Sequence, residues 1–136
     1  ARRQDKVTNL RIFGCYGPTD AKTKFIRDAI DCCLENRAIT IRQDCLFDYM
    51  YVDDLGRIIA HMAEARFLQR DYNVCTGVPV ALSTVAGIVA RQMKNEHGIK
   101  IARPGMNRQY TASNVRLMND FPALIESLLL SFLIPS

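Results

Sequence analysis

The run VTNLRIFGC, Val7 to Cys15, passes directly into Tyr16-Gly17-Pro18-Thr19, a β-favouring segment giving way to turn punctuation. Leu10, Ile12 and Phe13 are its apolar side chains, so a strand is expected over 7–15 and a turn over 16–19. From Lys24 the apolar residues fall at Ile26, Ala29, Ile30, Cys33 and Leu34, the three-and-four spacing of an amphipathic helix ending near Asn36. Strand, Gly-Pro turn and helix in that order open an α/β unit.

The rest of the chain continues the alternation. Ile39 and Ile41 alternate with Thr40 and Arg42 as a short strand, and after a polar loop FDYMYV, Phe47 to Val52, is aromatic and β-branched. Asp53 and Asp54 have the character of helix-start residues, where a carboxylate accepts from unpaired N–H groups and meets the positive end of the dipole. The helix behind them places Leu55, Ile58, Ile59 and Met62 on one face. Tyr72 to Cys75 forms another strand, and Gly77 and Pro79 turn the chain. Ser83 is the expected N-cap of a helix with Leu82 as its staple, with Val85, Ile88, Val89 and Met93 as its stripe and its end near Gly98. Ile99 to Ala102 is a strand broken by Pro104-Gly105, and Ser113 caps a short helix carrying Val115, Leu117 and Met118. Pro122 opens a last helix with Leu124, Ile125, Leu128, Leu129 and Phe132 inward. The predicted order is β-α-β-β-α-β-α-β-α-α without internal repeat.

A length of 136 residues gives room for one core, and 49% hydrophobic with 24% charged residues excludes a disordered chain, a collagen-like repeat or a coiled coil. The charge of +4 is modest and its Lys and Arg residues are dispersed, so nucleic acid is not the expected partner. Cys15, Cys32, Cys33, Cys45 and Cys75 form neither a CxxC pair nor a set with His61 or His97 at chelating spacing, so no metal site is expected and the thiols read as reduced and intracellular. The opening ARRQDK is not followed by an apolar run, and no stretch approaches the roughly 18 apolar residues of a membrane span. A cytoplasmic protein without membrane contact is the expectation. The apolar run LLLSFLI at 128–134 reads as a buried helix end.

Several catalytic patterns are missing. No GxGxxG, GxxGxxG, Walker sequence, GxSxG or HExxH occurs, and none of the five tyrosines has a lysine four residues on. Asp48, Asp53 and Asp54 leave two readings open, a carboxylate or metal cluster and simple helix caps, with the caps preferred. No catalytic residue is assigned.

The phrases LRIFGCYGP, FDYMYVDDL and DYNVCTGVPVALSTVA, in that order and at these separations, resemble the second half of the NAD-dependent epimerase/dehydratase family, the extended short-chain dehydrogenase-like enzymes that remodel nucleotide-activated sugars. The family pattern runs LRxFNxYGP, helix, short strand, RDFxYVxDL, YNxGxG, then an SxxExA helix, and the resemblance extends from about Thr8 to Leu124. It implies the C-terminal part of a Rossmann-like fold, a single fragment in which 7–18 hold the sheet strand and YGP turn and 19–136 the substrate-binding region. The glycine fingerprint and the Tyr-x-x-x-Lys pair precede LRxF in the family, so a fragment without turnover of its own is expected. NAD or NADP would be the cofactor of the full-length protein, not of this chain alone. A nucleotide-diphosphate sugar would be the partner.

Carried over residue by residue, Tyr16, Gly17 and Pro18 match the turn beside the nicotinamide end of the cofactor, while Gly17 and Pro18 equally suit a plain turn. Gly14 stands where most members place an Asn that contacts the substrate. Lys22, Lys24 and Phe25, with Thr23, fall where the family approaches the diphosphate, an alternative to solvated charge for the two lysines. Phe47 replaces an Arg that grips the nucleotide in many members, and Arg42 is placed to compensate. Asn73 and Gly77 take structural positions, and Arg108 matches a late Arg that reaches phosphate or ribose.

The leading expectation is therefore the substrate-binding portion of an NAD(P)-dependent nucleotide-sugar epimerase, dehydratase or reductase. The alternative is a non-catalytic sugar-nucleotide-binding or interaction module, favoured by Gly14 and Phe47. A dimerisation domain rests only on the 128–134 tail. Truncation of a parallel sheet would expose a strand edge and invite self-association.

Overall fold

The computed structural model describes residues 7–65 and 69–124. In chain order its elements are β1 (Asn9–Ile12), β2 (Cys15–Tyr16), α1 (Phe25–Leu34), β3 (Ile39–Asp44), β4 (Leu46–Phe47), β5 (Met50–Tyr51), α2 (Val52–Glu64), β6 (Asp71–Val74), β7 (Val80–Ala81), α3 (Leu82–Gln92), β8 (Ile99–Met106) and α4 (Val115–Asp120). Three pairs are parallel, β1 with β6, β2 with β5 and β3 with β8, while β4 and β7 run antiparallel. The α/β class holds. The last helix expected beyond Pro122 lies outside the described residues apart from Leu124, which is buried.

The continuous strand expected over 7–15 is two. Gly14 breaks it with a positive φ of 31°, so β1 pairs with β6 while β2, past the kink, pairs with β5. Two cores result. Met50, Leu55, Ile58, Met62, Tyr72, Val74, Leu117, Phe121 and Leu124 form one under α2 and α4, and Ala29, Cys32, Cys33, Ile39, Ile41, Cys45, Leu82 and Ala86 the other between α1, α3 and β3.

Helix α1 ends near Asn36 as expected, whereas the end of α3 departs from expectation for a local reason. Helix α1 closes with Asn36 at φ 53°, its N–H donating to the Cys33 carbonyl and the Arg37 N–H to that of Cys32, the paired bonds of a Schellman end. Helix α3 closes in the same way at Lys94, with Lys94 and Asn95 N–H donating to Arg91 and Ala90, well before Gly98. The Asn95 side chain then donates to the Arg37 carbonyl at 2.9 Å, tying the two helix ends together.

Ser83 is not the cap of α3; Ala81 holds that position. The Asp44 carboxylate, from the end of β3, accepts from the Ser83 N–H at 3.1 Å and from the Ser83 hydroxyl, so an acid remote in sequence serves the helix start. Asp53 and Asp54 sit in the first turn of α2 without a side-chain cap bond, and Asp54 pairs with Arg57 at 3.0 Å. The expected apolar stripes also exceed the faces that packing buries. Leu34 is 66% exposed, Ile59 41%, Ile88 46% and Met93 38%, while Ala86, off the expected stripe, is fully buried.

Pro104-Gly105 does not end β8. The register slips there, from Gln43 beside Arg103 to Asp44 beside Met106, so the two residues loop out as a bulge. Gly105 takes φ 76°, and the Gln43 side chain donates to the Pro104 carbonyl at 3.1 Å.

Candidate functional site

The end of β2, the loop before α1 and the β4–β5 corner enclose a cleft of about 410 Å³. Its walls include Gly14, Cys15, Tyr16, Asp20, Thr23, Lys24, Phe25, Ile26, Phe47, Tyr49 and Leu82. It lies past the end of a parallel strand, where open α/β sheets place ligands. A second cleft of about 390 Å³ adjoins it, sharing Tyr16, Asp20 and Ile26 and adding Gly17, Pro18, Arg27 and Asp31 among its walls.

Asp48 holds the corner. Its carboxylate is wholly buried and accepts from the Thr76 N–H at 2.8 Å, the Thr76 hydroxyl at 2.7 Å and the Gly77 N–H at 2.7 Å. Its own N–H donates to the Tyr110 carbonyl at 3.2 Å. The residues on either side, Phe47 and Tyr49, are thereby fixed as a stacked pair with ring centres 5.3 Å apart and planes 18° apart. Tyr110 lies 5.2 Å beyond Phe47, and Tyr16 meets Tyr49 edge-on at 6.1 Å. Among the described residues there is no group of three or more His, Cys, Asp or Glu side chains placed to hold a metal ion.

Lys24 is committed at the cleft edge. Its ammonium donates to the Cys15 carbonyl at 3.1 Å and to Asp20 at 3.0 Å, closing the loop ahead of α1. Burial raises the Cys15 thiol above its ordinary pKa, with Lys24 pulling the other way and Asp20 adding to the rise. Burial likewise raises the hydroxyls of Tyr16, where Asp54 contributes, and of Tyr49.

Five residues singled out from the sequence, Gly14, Tyr16, Lys24, Phe25 and Phe47, therefore meet at one cleft, and Tyr16, Gly17 and Pro18 line the other. Lys22, Arg42 and Arg108 line neither; all three are exposed, and strand alternation turns Arg42 away from the face on which Ile39 and Ile41 are buried. Sequence reasoning missed Tyr49, Leu82 and the role of Asp48. A lone acid between aromatic residues was the available signal, because a carboxylate in such company is buried only when paired.

The NAD dependent epimerase/dehydratase family model matches residues 1–75, more than half of the chain. The chain belongs to this family. The match takes in LRIFGCYGP and FDYMYVDDL and stops at Cys75, short of the full reach expected from the three phrases. No curated protein matches. Among solved structures, an epimerase from Methanothermobacter thermautotrophicus aligns over 86% of this chain and 38% of its own, with 18% identity and a TM-score of 0.71. A dTDP-glucose 4,6-dehydratase from Bacillus anthracis, in complex with NAD, aligns over 88% and 42% with 17% identity and a TM-score of 0.71. MoeE5, in complex with UDP-glucuronic acid and NAD, aligns over 83% and 40% with 26% identity and a TM-score of 0.65. This family member thus spans about two fifths of the length of those proteins. No helix among its described residues is long and apolar enough to cross a membrane.

The residues present do not fit a whole dinucleotide. The family's cofactor needs a glycine-rich strand-to-helix turn for its pyrophosphate, which this sequence lacks, and the second cleft sets Asp20 and Asp31 against the single Arg27. The Tyr16-Gly17-Pro18 turn is part of the wall of that cleft.

Proposed function

We propose that this chain is the substrate-binding part of a nucleotide-sugar epimerase or dehydratase, the C-terminal portion of a longer family protein. The observation that carries the reading is the convergence of Gly14, Tyr16, Lys24, Phe25 and Phe47 on one cleft beyond the end of β2. Its chemistry is to hold and orient. Tyr16 stands between the two clefts, so a sugar nucleotide in the first and the nicotinamide end of NAD or NADP at the second would face each other across it. Hydride and proton transfer belong to groups this sequence does not contain, and no step is assigned to its own side chains.

Solved relatives support the ligand class: one has UDP-glucuronic acid and NAD bound, and another is a UDP-N-acetylglucosamine 4-epimerase from Methanobrevibacter ruminantium in complex with UDP-N-acetylmuramic acid. Titrating the 136-residue chain with UDP-glucose, UDP-glucuronic acid and dTDP-glucose by calorimetry, with NMR shifts followed at Tyr16 and Tyr49, tests the reading. Binding of one of them without NADH formation is expected. No binding to any, or steady turnover by this chain alone, overturns it.

The reading extends to self-association. Among the described residues β1 pairs only with β6, leaving its other edge without a strand.

A further inference from the structure

Strand β8 is exposed along its whole length, and among the described residues it pairs with β3 alone, so its second edge is open. The Ile39 N–H donates to the Gly98 carbonyl at 3.0 Å, which fixes the alternation along the ladder. Backbone groups of Lys100 and Ala102 turn towards β3, and those of Ile99, Ile101 and Arg103 face outward. That row of free donors and acceptors is a template for one more strand.

The two faces of the strand differ in chemistry. Ile99 and Ile101 stand in register with Ile39 and Ile41 and share their face, on the side where α3 packs. Helix α3 covers them only in part, since Ile99 is 37% and Ile101 46% exposed. On the opposite face Lys100 stands beside Thr40, and Arg42 follows two residues on. Both are exposed, and neither has an ion-pair partner among the described residues.

This pattern selects the occupant. A second copy of β8 would bring Lys100 and Arg103 against cations of their own kind, and the Pro104-Gly105 bulge cuts short any longer pairing. An extended segment that alternates apolar and acidic residues meets both faces, because its side chains alternate with the same period of two. The open edge of β1 lacks this surplus of charge, as its Arg11 is paired with Asp71.

We propose that the free edge of β8 takes an extended acidic peptide by strand addition, with apolar side chains over Ile99 and Ile101 and carboxylates facing Lys100 and Arg42. No residue of β8 lines either cleft, so the inference stands apart from the nucleotide-sugar reading.

The test is a titration of the full chain with a short blocked peptide of alternating valine and glutamate, followed by amide NMR at low and high salt. The Ile99, Ile101 and Arg103 amides should shift and exchange more slowly, and affinity should fall as salt rises. The same peptide N-methylated along its pairing edge should bind about tenfold more weakly, and so should the parent peptide to Lys100→Glu. Ile101→Pro removes an outward N–H where an edge strand tolerates proline, and should also lose about tenfold. Absence of shifts at the β8 amides, or equal binding of the N-methylated peptide, overturns the proposal. The same shifts from polyphosphate or a single-stranded oligonucleotide overturn it in favour of a general anion surface. Concentration-dependent shifts at those amides without peptide overturn it in favour of a second copy. If Ile101→Pro does not fold, the N-methylated peptide still decides.

Discussion

A Cβ added to Gly14 would lie 1.9 Å from the backbone carbonyl oxygen of Asp48. No side chain fits that gap, and the residue also holds φ at 31°. Gly14→Ala and Gly14→Asn should both destabilise the chain, by about 2 kcal/mol or more, because the obstacle is backbone that cannot rotate aside. Urea denaturation compares them. An Asn variant as stable as the parent would show that the corner relaxes easily, and would make the glycine a matter of ligand chemistry instead of backbone geometry.

Asp48→Ala should cost about 3 kcal/mol, since it leaves the Thr76 and Gly77 N–H groups without their acceptor in a buried site. Asp48→Asn should cost less but still measurably, as an amide offers one acceptor oxygen where the carboxylate uses both. Thermal melts rank the three proteins. The near-ultraviolet circular dichroism of the Phe47 and Tyr49 pair should weaken in both variants while far-ultraviolet signal persists in Asp48→Asn.

Asp44 carries the acid sensitivity of the second core. Burial works against its charge, but hydrogen bonds from the Ser83 side chain and from the Ser83, Cys45 and Leu82 backbone outweigh it and hold the carboxyl below its ordinary value. A lowered native pKa means that its contribution to stability is complete above the ordinary carboxylate pKa, about 3.9, and fades as pH falls through the native value. Asp44→Asn should flatten the stability curve in that acid window, and Asp44→Ala should cost about 1 kcal/mol at neutral pH as a lost helix cap. Denaturant midpoints measured from pH 7 downward check both; parallel curves for parent and Asp44→Asn would contradict the assignment.

Thiol chemistry should follow burial. Cys32, Cys33, Cys45 and Cys75 are buried, and burial with the nearby Asp48 charge pushes the Cys75 thiol up to about 11, while Cys15 is only partly covered. Alkylation by iodoacetamide at pH 8, read by peptide mass spectrometry, should reach Cys15 first and slowly, and the other four only on unfolding. Early labelling of Cys75 would mean that the Asp48 corner opens in the native state.

Self-association is expected through the open edge of β1, where Ile12 is 42% exposed. Light scattering over a concentration series should show mass rising above the monomer. A strict monomer at millimolar concentration removes the proposal.

Much of the fold was legible because periodicity and punctuation are local. The strands at Leu10, Ile39 and Tyr72 and the helices around Ala29, Ile58 and Leu117 follow from alternation and three-and-four spacing, while Gly14, Tyr16, Phe25 and Phe47, which line the first cleft, were singled out by the family resemblance. The end of α1 near Asn36 was legible, but that of α3 was not, because Lys94 closes the helix through backbone bonds that any residue tolerating a positive φ makes. Buried faces were misjudged at Ile59, Ile88 and Met93, because which part of an apolar stripe is covered depends on the neighbour and not on the stripe.

By itself, then, the sequence determined the α/β class, the family resemblance and the set of side chains available to a site. The tertiary structure alone decided which of them meet. Pairing across long separations put Asp44 at the start of α3 and Asp48 under the Thr76–Gly77 turn, the loop before α1 brought Lys24 onto Asp20, and the fold left Arg42 and Arg108 outside the clefts. The physical reason is that charge and hydrogen-bond capacity are properties of residues, but their satisfaction is a property of distance. Only the folded chain shows that the cleft's one lysine is already paired, and that its walls are aromatic where a cation was expected.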